Sequence, residues 1–247
     1  MNELVSIVIP VYNAEKFIKD TAASIKAQTY DNYEVLMVDD GSTDNTVSVM
    51  QEIEDKRFKI LKSDGKSAAA ARNTGIKAAN GRYIAFIDAD DLWDPEKLSK
   101  QIKFMTENEA AFSFTGYEFA DENGVSVNKI VSVPHTITYR QALKNTTIFT
   151  STVIFDMDKL SKDDVYMPFI KSEDTATWWR LLRNGVKAYG LNESLTLYRR
   201  SGSTLSSDKM EAIRRIWNLY RNAEKLSVPY SAYCFMFWAI RAVIRRI

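Results

Sequence analysis

The sequence predicts an α/β fold in which a mostly parallel sheet is flanked by helices and followed by a C-terminal helical extension. Three observations predict it. Short apolar runs alternate with helical segments four times within residues 1–108, which is typical of βαβ units. After residue 109 the alternation loosens, but strand-like runs continue to residue 200. The last part, 207–247, has the pattern of two helices rich in aromatic and basic residues.

The first half begins with the apolar run at 5–9, which ends at Pro10, and such a run favours a strand buried on both faces. The next segment has apolar residues at helical spacing, and Asn13 is its candidate N-cap. Further strands are predicted at 34–38, 58–62 and 83–87, with a helix after each and the last of these helices at 96–108.

The second half is predicted to extend the same sheet. Two strands flank the turn at 122–124, and another strand is predicted at 150–155. Ser172 is the candidate N-cap of a helix that ends at Gly185, and an extended segment follows. We therefore divide the chain into residues 1–108, 109–206 and 207–247.

The composition excludes several classes of protein. The chain of 247 residues has 33 basic and 32 acidic residues. It therefore lacks the excess of positive charge that binds nucleic acid, and no nucleic acid partner is expected. The single Cys234 and single His135 exclude an internal disulfide and a Cys/His zinc cluster. The N-terminus has neither region of a signal peptide, so we expect a cytoplasmic protein.

The charge is unevenly distributed along the chain. Residues 199–247 have ten basic and three acidic side chains, a net of +7, whereas the first 198 residues have a net of −6. The apolar part of the final helix is too short to span a bilayer. It suits a helix lying peripherally on the inner face of the membrane, with Arg241, Arg245 and Arg246 near anionic headgroups. The alternative is packing on its own domain or in a homodimer.

Polar side chains follow three of the predicted strands at their carboxyl ends. They are Tyr12 and Asn13 after the first strand, Asp39 and Asp40 after the second, and the acids of DADD at 88–91 after the fourth. In open α/β sheets, ligands bind beyond the carboxyl ends of the strands. We therefore expect these groups to lie at one edge of the sheet.

The DADD segment has three carboxylates within four residues. Such a cluster is costly unless protons or a cation neutralise it, and Mg²⁺ or Mn²⁺ bridging to a substrate diphosphate would do so. The alternative is a solvated acidic turn that starts the next helix. This segment alone leaves both interpretations open.

Two other acidic segments also allow a structural and a functional interpretation. In VDDGST, Asp40 has the acceptor that the N3–H of uracil needs, and Asp39 is suited to brace backbone N–H groups of the first loop, but such segments are also ordinary turns. Glu173 and Asp174 suit the first turn of any helix, whereas Asp174 is also a candidate general base. Trp93, Trp178 and Trp179 are candidates either to stack on sugars or to fill the core.

Taken together, four segments resemble glycosyltransferase family 2. They are SIVIPVYNAEKFI, VDDGSTDNT, AARNTGIKAANGRYIAFIDADDLWDPEKL and SEDTATWWRLL, and their order and spacing match between residues 4 and 200. The resemblance implies an inverting, nucleotide-sugar-dependent enzyme of the GT-A fold, in which a Rossmann-like sheet binds the nucleotide. It extends to bacterial members that assemble surface polysaccharides.

The resemblance also implies roles for individual residues. Asp174 would be the catalytic base, Asp90 would ligate a divalent metal, and Asp40 would contact uracil. Arg199 or Arg200 would lie near the diphosphate on a C-terminal loop. The residues expected to bind the nucleotide-sugar are Pro10, Tyr12, Asn13, Asp39, Asp40, Lys66, Arg72, Asn73, Asp88, Ala89, Asp90 and Arg199. The residues expected in the acceptor or sugar pocket are Trp93, Glu173 and Trp178.

Two positions depart from the family pattern. The family usually has N-x-G before the alanine-rich helix, whereas residues 64–67 are DGKS here, so Lys66 is expected to supply a phosphate contact instead. Thr175 follows the Glu-Asp pair where an aromatic or large apolar residue is usual. The acceptor pocket beside the base is therefore expected to differ.

The resemblance implies transfer of a sugar from a UDP-sugar to a hydroxyl of a lipid-linked saccharide. Residues 1–108 would bind the donor, 109–206 would bind the acceptor and carry the base, and 207–247 would associate with membrane or dimerise. The alternatives are a nucleotide-sugar-binding protein without transferase activity and a polyprenyl-phosphate glycosyltransferase. A nucleotidyltransferase would have a glycine-rich basic loop after the first strand, which Pro10-Val11-Tyr12-Asn13 lacks.

Overall fold

The computed structural model describes residues 2–200 and 209–244, and a single mixed sheet lies at its centre. The strands are β1 (Val5–Val11), β2 (Tyr33–Asp39), β3 (Phe58–Lys62), β4 (Tyr83–Phe86), β5 (Leu92–Trp93), β6 (Phe112–Ala120), β7 (Ser126–Val131), β8 (Thr136–Ile137), β9 (Ile154–Asp156) and β10 (Ala188–Arg199). Within the described residues, the strand order is β3-β2-β1-β4-β9-β6-β10-β5, and β7 and β8 pair with β6 and β10.

Helices cover both faces of this sheet, so the predicted α/β fold is confirmed. They are α1 (Ile18–Lys26), α2 (Thr46–Gln51), α3 (Ala68–Ala78), α4 (Lys97–Glu107), α5 (Tyr139–Ala142), α6 (Lys162–Val165), α7 (Glu173–Arg183), α8 (Lys209–Asn218) and α9 (Val228–Ile244). A 3₁₀ turn (Thr150–Thr152) precedes β9, and a π-helical turn (Leu219–Ala223) follows α8.

The first four long strands form the parallel part of the sheet. β1 pairs in parallel with β2 on one side and β4 on the other, and β3 extends the row beyond β2. Almost every residue of β1, β2 and β4 is buried, as expected for strands covered by helices on both faces. The carboxyl ends of β1, β2 and β4 therefore meet at one edge.

The second half of the chain continues this sheet. The short β9 lies antiparallel between β4 and β6, and β10 then runs parallel to β6. This arrangement brings the residues just before β9 next to the turn that follows β4. Residues far apart in sequence thus reach the same edge.

Two of the tryptophans expected to stack on sugars are buried instead. Trp178 is 2% exposed and packs against Phe86, Phe112 and Phe155 in the main core. Trp93 is 4% exposed and donates from Nε1 to the carbonyl of Ser151. Neither ring has a face open to a ligand, so the assignment of Trp93 and Trp178 to an acceptor or sugar pocket is wrong. The third candidate, Trp179, is also buried.

The local capping predictions are also corrected. Helix α1 begins at Ile18, and Asn13 instead adopts a left-handed conformation with φ of 49° in the loop after β1. Ser172 does precede α7, but it has a left-handed backbone and makes no side-chain capping hydrogen bond. Residues 150–152 form a 3₁₀ turn rather than the start of a strand.

The C-terminal helices pack on the side of the domain that holds α7. Tyr220 stacks on Trp179 with ring centroids 5.3 Å apart, and its hydroxyl donates to the carbonyl of Leu143. Within residues 2–200 and 209–244, no helix combines the length and hydropathy that crossing a membrane requires. Arg245 and Arg246, which were expected near anionic headgroups, lie outside the described residues.

Candidate active site

The acidic turn at 88–91 lies where β4 ends. The N–H of Asp91 donates to the carbonyl of Asp88 at 3.1 Å, which closes the turn. The backbone N–H of Asp88 donates to Ser151 Oγ at 2.9 Å, and the carbonyl of Ala89 accepts from Thr21 Oγ1 at 2.8 Å. Contacts from two other parts of the chain therefore fix this turn.

The three carboxylates of the turn have different surroundings. Asp88 accepts from Arg72 Nη2 at 2.7 Å, while the buried Asp91 accepts from Ser151 Oγ and from the backbone N–H of Arg199. Among the described residues, no side chain donates to Asp90 and no basic group forms an ion pair with it. The site thus leaves one acid of the cluster free for a ligand.

Burial and repulsion between the carboxylates raise the pKa values of two acids in this turn. Burial, together with the neighbouring Asp88, raises the pKa of Asp90 to about 6. Burial also raises the pKa of Asp91 well above its usual value, with Asp90 and Asp88 adding to the effect. A proton or a cation on Asp90 would relieve this repulsion.

Arg72 joins the acidic turn to helix α7. Its Nη2 pairs with Asp88 at 2.7 Å, and its Nη1 pairs with Glu173 at 2.5 Å. Burial alone would lower the pKa of Arg72, but the carboxylates of Asp88 and Glu173 outweigh burial and hold it above its usual value. Arg72 was expected to bind the nucleotide-sugar and Glu173 to line the acceptor or sugar pocket. In the structure the two side chains pair with each other beside the acidic turn.

Asp174 follows Glu173 in the first turn of α7. Its Oδ2 accepts a hydrogen bond from Thr150 Oγ1 at 2.8 Å, and its Oδ1 accepts from the N–H of Thr175 at 2.6 Å. Among the described residues, no basic side chain pairs with this carboxylate. A carboxylate that is held in place but not neutralised by a cation has the properties of a general base.

The loops after β1 and β2 bind each other. Asn13 Oδ1 accepts from the N–H of Thr43, and the N–H of Asn13 donates to Ser42 Oγ. Asp39 accepts from the N–H groups of Gly41 and Ser42, so it braces its own turn rather than the first loop.

Other predicted nucleotide contacts lie along the same edge of the sheet. Asp40 Oδ1 accepts from the N–H of Ser67 at the start of α3, which brings the loops after β2 and β3 together. Pro10 lies within β1, and Tyr12 and Lys66 are exposed.

Arg199 does not lie on a loop. It ends β10 and is 2% exposed, and its guanidinium contacts Asp20 Oδ2 and the carbonyl of Glu122, both at 3.3 Å. The loop position that the family resemblance implied for Arg199 is therefore wrong, whereas the extended segment predicted up to residue 200 agrees with β10. Arg200 is the exposed member of the pair, and it lies 4.1 Å from the ring centroid of Phe119.

The side chain of Asn73 binds the backbone of Met167 and does not point into an open pocket. Its amide donates to the carbonyl of Met167 at 2.8 Å and accepts from the N–H of Met167 at 2.7 Å. This clamp borders a groove of about 520 Å³ between α3 and the loop before α7. Neither Asp90 nor Asp174 lines that groove, so it is separate from the acidic turn.

Thr150 and Ser151 are the site residues that sequence reasoning missed. Both lie in the 3₁₀ turn before β9; Thr150 is 2% exposed and Ser151 is fully buried. Hydroxyl residues beside an apolar run are common, so the sequence has no local signal for them. Their partners, Asp174 and Asp91, are distant in sequence and meet them because β9 pairs with β4.

The sequence profile of Glycosyl transferase family 2 matches residues 6–162. The chain belongs to glycosyltransferase family 2. Two relatives in this family show how far the similarity extends. One is the putative teichuronic acid biosynthesis glycosyltransferase TuaG of Bacillus subtilis, 41% identical over 99% of this chain and 98% of its own length.

A second relative comes from Escherichia coli. It is the UDP-Glc:alpha-D-GlcNAc-diphosphoundecaprenol beta-1,3-glucosyltransferase WfgD, 40% identical over 87% of this chain and 85% of its own length. Both family 2 relatives match most of this chain, so the similarity includes the acidic turn, α7 and β10.

Solved structures of glycosyltransferases have the same fold. Staphylococcus aureus TarS in complex with UDP-GlcNAc has a TM-score of 0.69 and 24% identity, covering 95% of this chain and 70% of that one. The mannosyltransferase PcManGT of Pyrobaculum calidifontis, with GDP-Man and Mn²⁺, has a TM-score of 0.70 and 17% identity, covering 94% and 68%. The predicted GT-A fold of this family 2 enzyme is therefore confirmed.

Proposed function

We propose that this enzyme transfers a sugar from a UDP-sugar to a hydroxyl of a lipid-linked saccharide during assembly of a bacterial surface polysaccharide. One observation carries the proposal: Asp90 and Asp174, which pair with no basic side chain among the described residues, lie on elements that Arg72 joins. The names of TuaG and WfgD support the product class, and the name of WfgD supports an acceptor linked through diphosphate to a lipid.

On the donor side, Asp40 would accept the N3–H of uracil, because its second oxygen is not used by Ser67. The exposed Tyr12 and the paired loops after β1 and β2 would hold the nucleoside. Asp88 would face the ribose or the sugar, with its charge balanced by Arg72. The TarS complex with UDP-GlcNAc supports a uridine nucleotide.

The residues of the acidic turn fit a divalent metal, Mn²⁺ or Mg²⁺. Asp90 is the acid without a protein partner among the described residues, and burial with Asp88 raises its pKa to about 6, so a cation would stabilise its charge. The described residues contain no group of three His, Cys, Asp or Glu side chains arranged for a metal. Asp90 would therefore share the ion with the donor diphosphate. When bound, the cation would supply Lewis-acid stabilisation of the leaving diphosphate.

On the acceptor side, Asp174 would remove the proton from the attacking hydroxyl. The hydroxyl oxygen forms the new bond to C1 of the sugar, the bond from C1 to the diphosphate breaks, and UDP leaves from the opposite face. The configuration at C1 inverts. Thr150 Oγ1 donates to Oδ2 of Asp174, and this hydrogen bond would orient the carboxylate to accept the proton of the acceptor hydroxyl.

The cellular place of the reaction follows from the acceptor. A lipid-linked saccharide lies in a membrane, whereas the UDP-sugar is a soluble metabolite of the cytoplasm. The enzyme would therefore work in the cytoplasm at the inner face of the cell membrane, as a peripheral protein.

The first test is UDP release from a panel of UDP-sugars with Mn²⁺. The acceptor arms are N-acetylglucosaminyl diphosphate on a short polyprenyl chain, and polyprenyl phosphate alone. We expect turnover of one donor with the first acceptor, abolished by EDTA and by Asp90→Ala. Turnover with polyprenyl phosphate instead would favour the polyprenyl-phosphate transferase, and UDP binding without any turnover would favour a binding protein.

The base is tested by Asp174→Asn. We expect UDP binding by calorimetry to be retained and transfer to fall by about 10²- to 10⁴-fold, the usual share of general-base catalysis. Asp163→Asn, an exposed acid of α6, is the matched control and should leave transfer unchanged. Near-normal transfer by Asp174→Asn would remove Asp174 from the mechanism.

A further inference from the structure

Helix α9 has an inner face that packs on the domain. The inner side chains are Ser231, Cys234, Phe235 and Trp238. Trp238 Nε1 contacts Thr146 Oγ1 at 3.2 Å, and Cys234 is fully buried. These contacts fix the rotation of the helix, so its opposite face must point away from the domain.

The outer face of α9 is apolar. Its side chains recur every three or four residues, which places them in one stripe along the helix. They are Tyr233, Met236, Ile240 and Val243, between 44% and 57% exposed. Such a row is unusual on a soluble surface and indicates an interaction site.

Helix α8 adds a second row of exposed apolar side chains. They are Met210, Ile213 and Trp217. The ring of Trp217 lies 6.0 Å from that of Phe235 on the inner face of α9, so the two helices pack side by side. We call the seven exposed side chains of the two rows the outer stripe.

The charge around the outer stripe is positive. Helix α9 contains no acidic residue, and Arg241 is exposed on it. Lys144 Nζ lies 4.6 Å from the ring of Tyr233, and Arg140, which is exposed on α5, is close enough to Tyr230 of α9 to act on it electrostatically. The acids of the C-terminal helices are neutralised, because Glu224 pairs with Arg183 and Glu211 pairs with Lys171.

We propose that the outer stripe docks on an anionic membrane surface. Its apolar side chains would enter the boundary between headgroups and acyl chains, and Arg241, Lys144 and Arg140 would contact lipid phosphates. The positive charge favours lipid over a second copy of this chain, because two such faces would repel one another. The inference deepens the proposed function, on which it rests for the lipid-linked acceptor.

One chain segment connects the outer stripe to Asp174, the proposed base. Lys144 Nζ contacts the hydroxyl of Tyr233 at 3.2 Å, and Thr146 contacts Trp238. Thr150, at the end of this segment, bonds Asp174. Docking through α9 would thus bring the base close to the membrane surface, where a lipid-linked acceptor is anchored.

The test is flotation of the full chain with vesicles of phosphatidylcholine alone or mixed equally with phosphatidylglycerol. We expect binding to the mixed vesicles, weakened by high salt, and little binding to phosphatidylcholine. Met236→Glu/Ile240→Glu should weaken binding at least tenfold. Val127→Glu/Ile130→Glu changes two equally exposed apolar residues of β7 and should bind like the parent.

A second variant covers the case in which the first fails to fold. Arg140→Glu/Arg241→Glu changes two exposed cations, leaves the core untouched, and should also lose at least tenfold in binding at low salt. Absence of binding by the parent, or binding by both altered proteins as strong as that of the parent, would overturn the proposal. A dimer in size-exclusion chromatography that Met236→Glu/Ile240→Glu dissociates, without vesicle binding, would reassign the stripe to dimerisation. Asp174→Asn should bind vesicles normally, so failure of the base assignment remains distinguishable.

Discussion

Thr150 and Ser151, which are neighbours in one turn, bind two candidate catalytic groups. Thr150 donates to Asp174 at 2.8 Å, while Ser151 accepts from the N–H of Asp88 and donates to Asp91. The carbonyl of Ser151 also accepts from Trp93 Nε1. The candidate base and the candidate metal turn are therefore held by neighbouring residues, and a shift of the turn would disturb both.

We predict that Thr150→Val lowers kcat for transfer by about 10- to 100-fold, because a misplaced base reacts poorly. The KM for the UDP-sugar should stay near the parent value, and Thr150→Ser should restore most of kcat. Steady-state kinetics measures both quantities. Thr152→Val is the matched control, because Thr152 Oγ1 donates to the carbonyl of Phe149 and hydrogen-bonds no acid among the described residues. An equal loss of kcat in Thr150→Val and Thr152→Val would mean that the turn contributes to folding and not to the position of the base.

The sequence identified the acids of the site but not their partners. Asp40, Asp90 and Asp174 could be chosen because acids at strand ends and helix starts form recognisable patterns. Aromatic residues have no such pattern, since core filling and sugar stacking require the same residue type. Trp93 and Trp178 were therefore misassigned, and their burial became visible with the packing of the sheet.

At the scale of elements, helix α3 lies unusually close to strand β1. A Cβ added at Gly75 would lie 2.3 Å from Val8 Cγ1, well inside van der Waals contact. The same helix carries Arg72, which pairs with Asp88, so its distance from the sheet sets where the Arg72 guanidinium lies. Residue 75 must remain glycine for this packing.

We predict that Gly75→Ala destabilises the fold by about 1–3 kcal/mol, because overpacking outweighs the roughly 1 kcal/mol that alanine gains in helix propensity. Chemical denaturation measures the change. Lys77→Ala on the exposed side of α3 should change stability by less than about 0.5 kcal/mol. Val8→Ala/Gly75→Ala should cost less than the sum of its single changes. An additive double variant would contradict the proposed contact.

Element boundaries followed the sequence where an apolar run was continuous. The strand at 58–62 was located to the residue, and the strand predicted at 83–87 corresponds closely to β4. Boundaries failed where long-range contacts decide the backbone, as in the 3₁₀ turn at Thr150–Thr152 and the left-handed Asn13. Their conformations depend on partners such as Asp174 and Thr43, which no local pattern specifies.

At the scale of the whole molecule, the candidate donor site joins the loops after β1, β2 and β4 to α7, so a bound donor should stabilise the entire fold. We predict that UDP with Mn²⁺ at 100 times its dissociation constant stabilises the protein by about 2.7 kcal/mol. Differential scanning calorimetry measures the shift. CDP is the matched control, because cytosine lacks the N3–H that Asp40 would bind.

The metal contribution is separable in the same experiment. EDTA should remove the part of the stabilisation that depends on Mn²⁺, and Asp90→Ala should be insensitive to Mn²⁺ from the start. Equal stabilisation of Asp90→Ala and the parent by Mn²⁺ would contradict the metal assignment, and equal effects of CDP and UDP would contradict the role of Asp40.

The topology of the first half was predictable, because four strand–helix alternations and right-handed crossovers leave few arrangements. For the second half, the sequence predicted only that further strands extend the same sheet, and the strand expected at 150–155 corresponds to β9, which covers Ile154–Asp156. Its pairing with both β4 and β6 comes from contacts between distant segments.

The position of β9 also affects how the chain is made. During synthesis β1 to β4 leave the ribosome before β9, so the side of β4 that pairs with β9 stays open until β9 has emerged. That side is a fully buried, apolar edge in the finished fold, and open apolar edges invite pairing with other chains. We therefore expect the nascent first half to be prone to aggregation until β9, the short strand before α6, pairs with β4.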